Sequence, residues 1–316
     1  MVKKVLVILL SLAIAISMIP TAVLGSEYTD MPNDWSKNAL EKAVENGILT
    51  GFDGKIMPNS SLTRAQMAAV INKAFGAKDE ASLSTYSDVS QKSWYYHQLA
   101  KAVRLGIISG DDNKLNPNQY VTREEVFAAL AKLLKLTATD NTVLDRYSDK
   151  TAISHWAIDG VAALVSAGYI TGTNGKINPK KNISRAEFAQ VMDNVIKNYI
   201  RTEGTYNKDF NGNVIINVPG VTLKNMKITG DLIIGDGVGD GEVALDTVTV
   251  IGRTVVRGGG ENSIKIIGKS NIQNIIVARI DGTVRVYAED GISVGELIVD
   301  GSDDVIVEGT FQQFNN

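Results

Sequence analysis

Apolar residues recur with a helical period from about Tyr28 to Val195, and they form three pairs of short segments. In the first segment of each pair, the apolar face is expected to include a tryptophan. These first faces are Trp35, Leu40, Ala43 and Val44; Trp94, Leu99, Ala102 and Val103; and Trp156, Val161, Leu164 and Val165. The second faces are Met67, Val70, Ile71 and Ala74; Val126, Ala129, Leu130 and Leu133; and Phe188, Val191, Met192 and Val195. Two such helices cannot bury both faces alone, so three helix–loop–helix units are predicted to pack together.

The helical period vanishes after Thr205, where valine and isoleucine alternate with polar residues and glycine. One series begins at Val221, Val243, Ile264, Val284 and Val305, and a second runs through Ile233, Val255, Ile276 and Ile298. Both repeat every 20 to 22 residues. This predicts a parallel β-solenoid with one coil per period and with corners at Gly230, Gly252, Gly258 and Gly268. The region is similar to right-handed β-helix folds, and residues 205–316 are expected to fold independently. A sandwich of β-hairpins is the alternative, because its turn spacing is comparable.

Fixed spacings mark each helical unit as a copy of the others. Each tryptophan is followed after 12 residues by a glycine, after 11 more by a proline, and after 6 more by an arginine. The glycines, Gly47, Gly106 and Gly168, are placed to end the first helix of each unit. Three spacings kept in three copies indicate an internal repeat.

The arginines stand inside capping boxes, which begin the second helix of each unit. The boxes read Thr63-Arg64-Ala65-Gln66, Thr122-Arg123-Glu124-Glu125 and Ser184-Arg185-Ala186-Glu187. A hydroxyl followed three residues later by Glu or Gln closes such a box. The helix dipole disfavours a cation at the first helical position. We therefore interpret each arginine, with the free amides beside it, as an anion receptor whose replacement leaves stability little changed.

These repeats resemble S-layer homology (SLH) domains from Tyr28 to about Val195. The resemblance rests on the aromatic-x-Asp openings, the tryptophans, the Gly-Ile-x-x-Gly elements at 47–51 and 106–110, and the Thr-Arg-Ala-Glu-like boxes. The openings are Tyr28/Asp30, Tyr86/Asp88 and Tyr147/Asp149. The chain departs from the pattern at Gln66, at Glu124 and at Tyr169. Glu124 is expected to weaken anion binding beside Arg123.

The resemblance implies three units in pseudo-threefold symmetry, with grooves that bind a secondary cell-wall polysaccharide, often one carrying pyruvate ketals. A pyruvate ketal is a carboxylate, which suits a guanidinium. The implied ligand residues are Arg64, Arg123 and Arg185 for the anion, Trp35, Trp94 and Trp156 near the sugar, and Asp30, Asp88 and Asp149 toward hydroxyls or the arginines. The alternatives are ion pairs between these arginines and aspartates across units, and burial of the tryptophans in the core.

The first 25 residues are typical of a secretory signal peptide, because Lys3 and Lys4 precede an apolar run and small or medium residues precede Ser26. An uncleaved membrane anchor is the alternative. The predicted domains are a signal peptide (1–25), unit 1 (26–84), unit 2 (85–142), unit 3 (143–203) and the solenoid (204–316). The fold class is thus helical SLH units followed by an all-β solenoid. An exported protein bound to the cell wall is expected.

Composition narrows the chemistry. The chain has no cysteine and only two histidines, which argues against disulfides and a zinc site, and its net charge of −3 argues against nucleic acid as a partner. In the solenoid, the acids Asp231, Asp236, Asp240, Glu242 and Asp246 favour ordinary turns over calcium, and Arg253, Arg257 and Arg279 favour a solvated face over a lyase site. No nucleophile–base pair is evident, so neither catalysis nor a cofactor is predicted.

Two functions follow from the sequence. The first is a structural surface protein whose SLH units bind pyruvylated wall polysaccharide and whose solenoid is a spacer or lattice element that can self-associate. The second is a wall-anchored carbohydrate-binding or carbohydrate-active β-helix protein, truncated at its C-terminus. Phe311 and Phe314 are expected to cap the last coil unless a longer protein continues there.

Overall fold

The computed structural model describes residues 28–301 and 304–315, so the predicted signal peptide lies outside the described residues. Each predicted unit contributes two α-helices. They are α1 (Lys37–Glu45), α2 (Arg64–Phe75), α3 (Tyr96–Arg104), α4 (Arg123–Leu133), α5 (Ile158–Ser166) and α6 (Arg185–Val195). Gly47, Gly106 and Gly168 lie two residues after the last residues of α1, α3 and α5, and all three have positive φ, which agrees with their predicted place at the helix ends. None of the helices within the described residues has the length and apolarity required to cross a membrane.

A cyclic set of three backbone hydrogen bonds joins the units at their centre. The Leu62 amide donates to the Ile183 carbonyl (3.1 Å), the Ile183 amide to Val121 (3.1 Å), and the Val121 amide to Leu62 (3.0 Å). All three side chains are fully buried. Because every unit both donates and accepts once, the set closes only when all three units are present.

The helices pair between units rather than within them. Helix α2 packs on α3, α4 packs on α5, and α6 packs back on α1. Gly160 shows how closely α4 and α5 approach, because a Cβ atom there would lie 2.9 Å from the Cα atom of Ala128. The sequence predicted that the units pack together, and the structure shows that the second helix of each unit is completed by the next unit.

The second half is a parallel β-solenoid with two main sheets. One sheet contains, in order, β1 (Asn198–Ile200), β3 (Val214–Ile216), β5 (Leu232–Ile234), β7 (Thr254–Val256), β10 (Asn274–Val277), β12 (Ser293–Val299) and β14 (Thr310–Asn315). The other contains β13 (Asp304–Glu308), β11 (Thr283–Ala288), β8 (Lys265–Ile267), β6 (Val243–Val250), β4 (Val221–Ile228) and β2 (Gly204–Tyr206), with β9 (Asn271–Ile272) paired to β6.

Strand pairing agrees with the predicted ladders and excludes the hairpin sandwich, because neighbouring strands run parallel. In the first sheet Ile233 pairs with Val255, Val255 with Ile276, and Ile276 with Ile298. In the second sheet one step differs from the prediction. There, β11 is shifted by two residues against β8, so that Ile266 pairs with Ala288. A two-residue shift keeps the same face inward, since side chains alternate along a strand.

The ends of the solenoid differ from expectation. Its first strand, β1, begins at Asn198 and pairs with β3, so the first coil starts upstream of the predicted boundary at residue 204. At the other end Phe311 and Phe314 do not fold over the last coil. They lie in β14, where Phe311 pairs with Val294 and Phe314 pairs with Leu297.

The first sheet of the solenoid docks on the helical units, which argues against the expectation that residues 205–316 fold independently. Strands β3, β5 and β7 are buried on both faces. The inward face forms the solenoid core, and Ile215, Ile233, Val255 and Ile276 join the core of the helices. An isolated 205–316 fragment lacks β1 and exposes this apolar face to water.

Polar groups of the solenoid cap the C-termini of all three second helices. The Asn217 amide donates to the Ala74 carbonyl of α2 (2.6 Å), Arg257 to Leu133 of α4 (3.3 Å), and Asn213 to Val195 of α6 (2.7 Å). The last carbonyls of a helix lack intrahelical partners and carry partial negative charge. The solenoid therefore satisfies the same three ends that a free helical domain would leave to water.

This docking makes a prediction about Arg257, whose guanidinium pairs with Asp236 (2.9 Å) in a dry part of the interface. Arg257→Ala leaves the Asp236 carboxylate without its partner, which should lower the free energy of unfolding by about 3 to 5 kcal/mol. All three tryptophans lie in the helical units, so their fluorescence reports on those units alone. We expect the urea midpoint from tryptophan fluorescence to fall with the midpoint from circular dichroism.

The matched control is Lys265→Ala, which removes an exposed ion pair with Glu242 (2.8 Å) in the same solenoid and should cost less than about 1 kcal/mol. An unchanged fluorescence midpoint in Arg257→Ala would show that the two halves unfold separately.

Candidate functional site

The helix-start amides beside the three arginines are not free, contrary to the sequence interpretation. The amides of Arg64 and Ala65 donate to the carbonyls of Gln119 (2.9 Å) and Pro117 (3.0 Å) in unit 2. Equivalent bonds run from Arg123 and Glu124 to unit 3 and from Arg185 and Ala186 to unit 1. The third amide of each helix is taken by the capping hydroxyl, in three complete capping boxes. These amides therefore bind the neighbouring unit rather than an anion.

The guanidinium groups, like the helix-start amides, donate to carbonyls in the loop of the next unit. Arg64 donates through Nε to Leu115 O (2.9 Å), Arg123 to Ile177 O (2.9 Å), and Arg185 to Ile56 O (2.6 Å). Arg64 and Arg185 also donate through Nη2 to the carbonyls of Ser109 (2.9 Å) and Thr50 (2.7 Å). Each of these acceptors lies in the following unit, whereas each amide of the backbone ring donates to the preceding unit, so the arginines close a second cycle in the opposite direction.

The three aspartates fix the other side of the same loop residues. Asp30 accepts from the amides of Ile56 (2.6 Å) and Met57 (2.9 Å). Asp88 does the same for Leu115 and Asn116, and Asp149 for Ile177 and Asn178. Each buried loop residue is thus held by its own aspartate at the amide and by the preceding arginine at the carbonyl. The alternative of direct arginine–aspartate pairs is replaced by this shared clamp.

The tryptophans lie outside the core. Trp35, Trp94 and Trp156 are 60%, 63% and 61% exposed, and each precedes the first helix of its unit. The predicted apolar face therefore begins after the tryptophan, and core packing does not explain its recurrence. An exposed aromatic residue that recurs at one position in three units indicates a binding surface.

Two of the three tryptophans line measurable cavities between units. Trp156 lines a cavity of about 710 Å³ that also contains Arg64, Glu125 and Ser109. Trp35 lines one of about 320 Å³ with Ala186, Glu187 and Lys181. The units follow one another in a ring, so unit 3 precedes unit 1. We name each groove after its tryptophan. It also contains capping-box residues of the preceding unit and the arginine of the unit before that one. The Trp156 groove thus has Glu124, Glu125 and Arg64, the Trp35 groove has Ala186, Glu187 and Arg123, and the Trp94 groove has Ala65, Gln66 and Arg185.

The electrostatics of the grooves differ through their capping residues. Arg64 pairs with Glu125 at 2.5 Å, and Arg123 lies 3.5 Å from Glu187. Burial would raise the pKa of the Glu187 carboxyl, but bonds from Ser184 and Lys181 and the charge of Arg123 hold the pKa below its usual value. Burial lowers the pKa of both Arg123 and Arg185.

Glu124, which the sequence marks as a departure, is buried between units 2 and 3. It accepts from the Ser154 amide and hydroxyl (both 2.9 Å) and from Lys180 Nζ (2.6 Å). Ala65 and Ala186 occupy this position in the other units. Glu124 therefore contacts Ser154 and Lys180 of unit 3 rather than Arg123.

The five solenoid acids that the sequence analysis named each pair with a base. The pairs are Asp231–Arg253 (2.5 Å), Asp236–Arg257 (2.9 Å), Asp240–Arg279 (2.5 Å), Glu242–Lys265 (2.8 Å) and Asp246–Lys224 (2.8 Å). Arg253 and Arg257 also reach carbonyls at the ends of the helical units. Arg253 and Arg257 therefore attach the solenoid to the helical units, rather than forming the solvated face that the sequence suggested.

Comparison with known proteins is consistent with this geometry. A family model described as S-layer homology domain matches residues 27–68, 85–127 and 146–189. The chain is 32% identical over 170 residues to an amylopullulanase of Thermoanaerobacterium thermosulfurigenes, 31% over 180 residues to Exoglucanase XynX of Acetivibrio thermocellus, and 29% over 184 residues to the S-layer protein sap of Bacillus anthracis. The matches cover 52%, 55% and 57% of this chain, but only 9%, 17% and 22% of those proteins.

The clamp predicts that the arginines matter for stability, against the expectation from sequence. Arg123 is only 8% exposed, and Arg123→Ala removes its bond to Ile177 and its contact with the Phe127 ring (5.1 Å). We expect the free energy of unfolding to fall by about 2 to 4 kcal/mol in chemical denaturation.

Lys208→Ala, which removes an exposed cation from the solenoid, is the control and should change stability by less than about 0.5 kcal/mol. If Arg123→Ala were equally neutral, the arginine would not link the units.

Proposed function

The chain contains three S-layer homology domains, and from that premise we propose that it anchors an exported surface protein non-covalently to the cell wall. The ligand class that we propose is an anionic, pyruvylated secondary cell-wall polysaccharide bound in the Trp35, Trp94 and Trp156 grooves. The S-layer protein sap, among the relatives, supports a secreted, wall-bound location. The chain spans less than a quarter of the relatives described above, so its role in a larger assembly is part of the proposal.

The observation that carries the proposal is the exposure of three equivalent tryptophans beside grooves between units. An indole ring offers a flat apolar surface on which the C–H face of a pyranose ring can pack. Serine, lysine and main-chain groups around it supply hydrogen bonds to sugar hydroxyls, as in the cavity that contains Trp35, Ser61 and Lys181. A cavity of about 710 Å³ at Trp156 has the size of a small-molecule pocket and fits one or two sugar rings.

The arginines take a different role from the one that the sequence suggested. The Nε atom of each arginine donates to a loop carbonyl of the next unit, so we propose that the arginine holds the loop that shapes the groove. Only its remaining Nη hydrogens can then bind a ligand carboxylate. The aspartates use both carboxylate oxygens on backbone amides, so they position the loop rather than contact sugar hydroxyls.

We propose that the solenoid is a spacer and not a catalytic domain. Its first sheet packs on the SLH helices, and the acids and arginines that could have suggested a lyase or calcium site are engaged in ion pairs and, for Arg253 and Arg257, with carbonyls of the helical units. Some relatives are named as enzymes, but the family match lies within residues 27–189, outside the solenoid. Self-association in a surface lattice would use the outward face of the second sheet.

The test is binding to purified cell walls in a pull-down. Trp35→Ala, Trp94→Ala and Trp156→Ala together should reduce the bound fraction by at least about tenfold, since a well-placed aromatic contact contributes about 1 kcal/mol or more per site and the sites act together. Thermal unfolding should change little, because the side chains are mostly exposed. Walls from which pyruvate has been chemically removed should bind the wild type weakly.

Phe314→Ala removes an exposed aromatic residue remote from the grooves and should bind walls as the wild type does. A folded triple tryptophan variant that still binds at full strength would remove the grooves from the proposal. Equal binding to walls with and without pyruvate would remove the pyruvate ketal while leaving the anchor.

A further inference from the structure

One groove differs from the other two at the third residue after the capping hydroxyl. That residue is Glu125 in the Trp156 groove, Glu187 in the Trp35 groove and Gln66 in the Trp94 groove. All three side chains accept the same hydrogen bond, which the backbone amide of the capping residue Thr122, Ser184 or Thr63 donates. Since Gln66 folds into the same box without a charge, the substitution changes the groove rather than the helix.

Because Gln66 carries no charge, Arg185 lacks the carboxylate partner that Arg64 and Arg123 have. Arg64 has Glu125 at 2.5 Å and Arg123 has Glu187 at 3.5 Å, but no carboxylate lies within ion-pair distance of Arg185 among residues 28–301 and 304–315. Arg185 is only 7% exposed. Its Nε and Nη2 atoms donate to carbonyls, and within the same described residues Nη1 makes no hydrogen bond.

Other acids near this groove are already committed. Asp30 acts on Arg185 through space, but both its oxygens accept amides of its own loop, as Asp149 does beside Arg123. Glu80 lies against His97, at 3.1 Å. A buried cation without a contacting anion is costly unless a partner arrives, which points to a ligand carboxylate.

We infer that the Trp94 groove is the one that receives a carboxylate of the wall polymer, while Glu125 and Glu187 occupy the corresponding place in the Trp156 and Trp35 grooves. This rests on the proposed function, and it assigns different tasks to the three grooves. The neighbouring residue agrees with the assignment, because the Trp94 groove has Ala65 where the Trp156 groove has Glu124, so this position adds no carboxylate to the Trp94 groove. The other two grooves are then suited to neutral parts of the polymer.

The test uses two variants that exchange the neutral glutamine of one groove and the charged glutamate of another. Gln66→Glu should form with Arg185 the ion pair that Glu125 forms with Arg64, and so block the groove while keeping the capping box. Glu125→Gln should release Arg64 and create a second carboxylate-binding groove. Both side chains already occur at this position in the same fold, so both variants should remain folded by thermal melt.

Isothermal titration with a hexoside carrying a pyruvate ketal, and with the methyl ester of that ketal, isolates the charge. We expect the wild type to bind one equivalent of the acid at least about tenfold more tightly than the ester, as for a charge-assisted bond. Gln66→Glu should lose this preference, and Glu125→Gln should bind two equivalents with it.

If Gln66→Glu keeps the preference, or if Glu125→Gln gains no second site, the assignment of the Trp94 groove is overturned. Should Gln66→Glu fail to fold, the stoichiometry of Glu125→Gln decides alone. Binding of purified wall polymer to the wild type is measured in parallel. Its loss would refute the anchoring function itself, whereas polymer binding without a ketal preference would refute only this inference.

Discussion

The hydrogen-bond ring of Leu62, Val121 and Ile183 is the constraint on which the helical half depends. A helix start leaves backbone amides that need acceptors, and a loop leaves carbonyls that need donors. Here the first amides of α2, α4 and α6 and the arginine side chains donate to the next unit, and the amides of the ring donate to the preceding one. Each unit therefore leaves buried polar groups that only its neighbours satisfy, so the three repeats form one body rather than three linked domains.

The opposite ends of the same helices explain why the solenoid is part of that body. Helices α2, α4 and α6 begin at the ring and end against β3, β5 and β7, where Asn217, Arg257 and Asn213 receive their last carbonyls. The apolar outer face of the sheet covers the helical core between these points. Each half therefore covers apolar surface or polar helix ends that the other half would expose to water.

Local patterns carried most of the prediction. The capping boxes placed the starts of α2, α4 and α6, and the spacing of Ile233, Val255, Ile276 and Ile298 placed the coils, because both signals reside in short segments or fixed periods. The direction of Arg185 could not be read, since its acceptors Thr50 and Ile56 lie far away in sequence. The docked sheet did leave a signal: Val214–Ile216 and Leu232–Ile234 are continuous apolar runs, which indicate strands covered on both faces. The tryptophans were misplaced because a helical period was extended past the true helix start.

The arrangement of the three second helices has a mechanical consequence. The grooves lie near the N-terminal ends of α2, α4 and α6, and the solenoid is attached at their C-terminal ends. Tension between a bound wall polymer and the solenoid would therefore run along three helices that are held side by side. The load would be shared by the three parallel helices, which are joined by the hydrogen-bond ring at their N-terminal ends. No single helix or hydrogen bond would carry the whole force. The fold is thus suited to carry force between the proposed binding grooves and the solenoid.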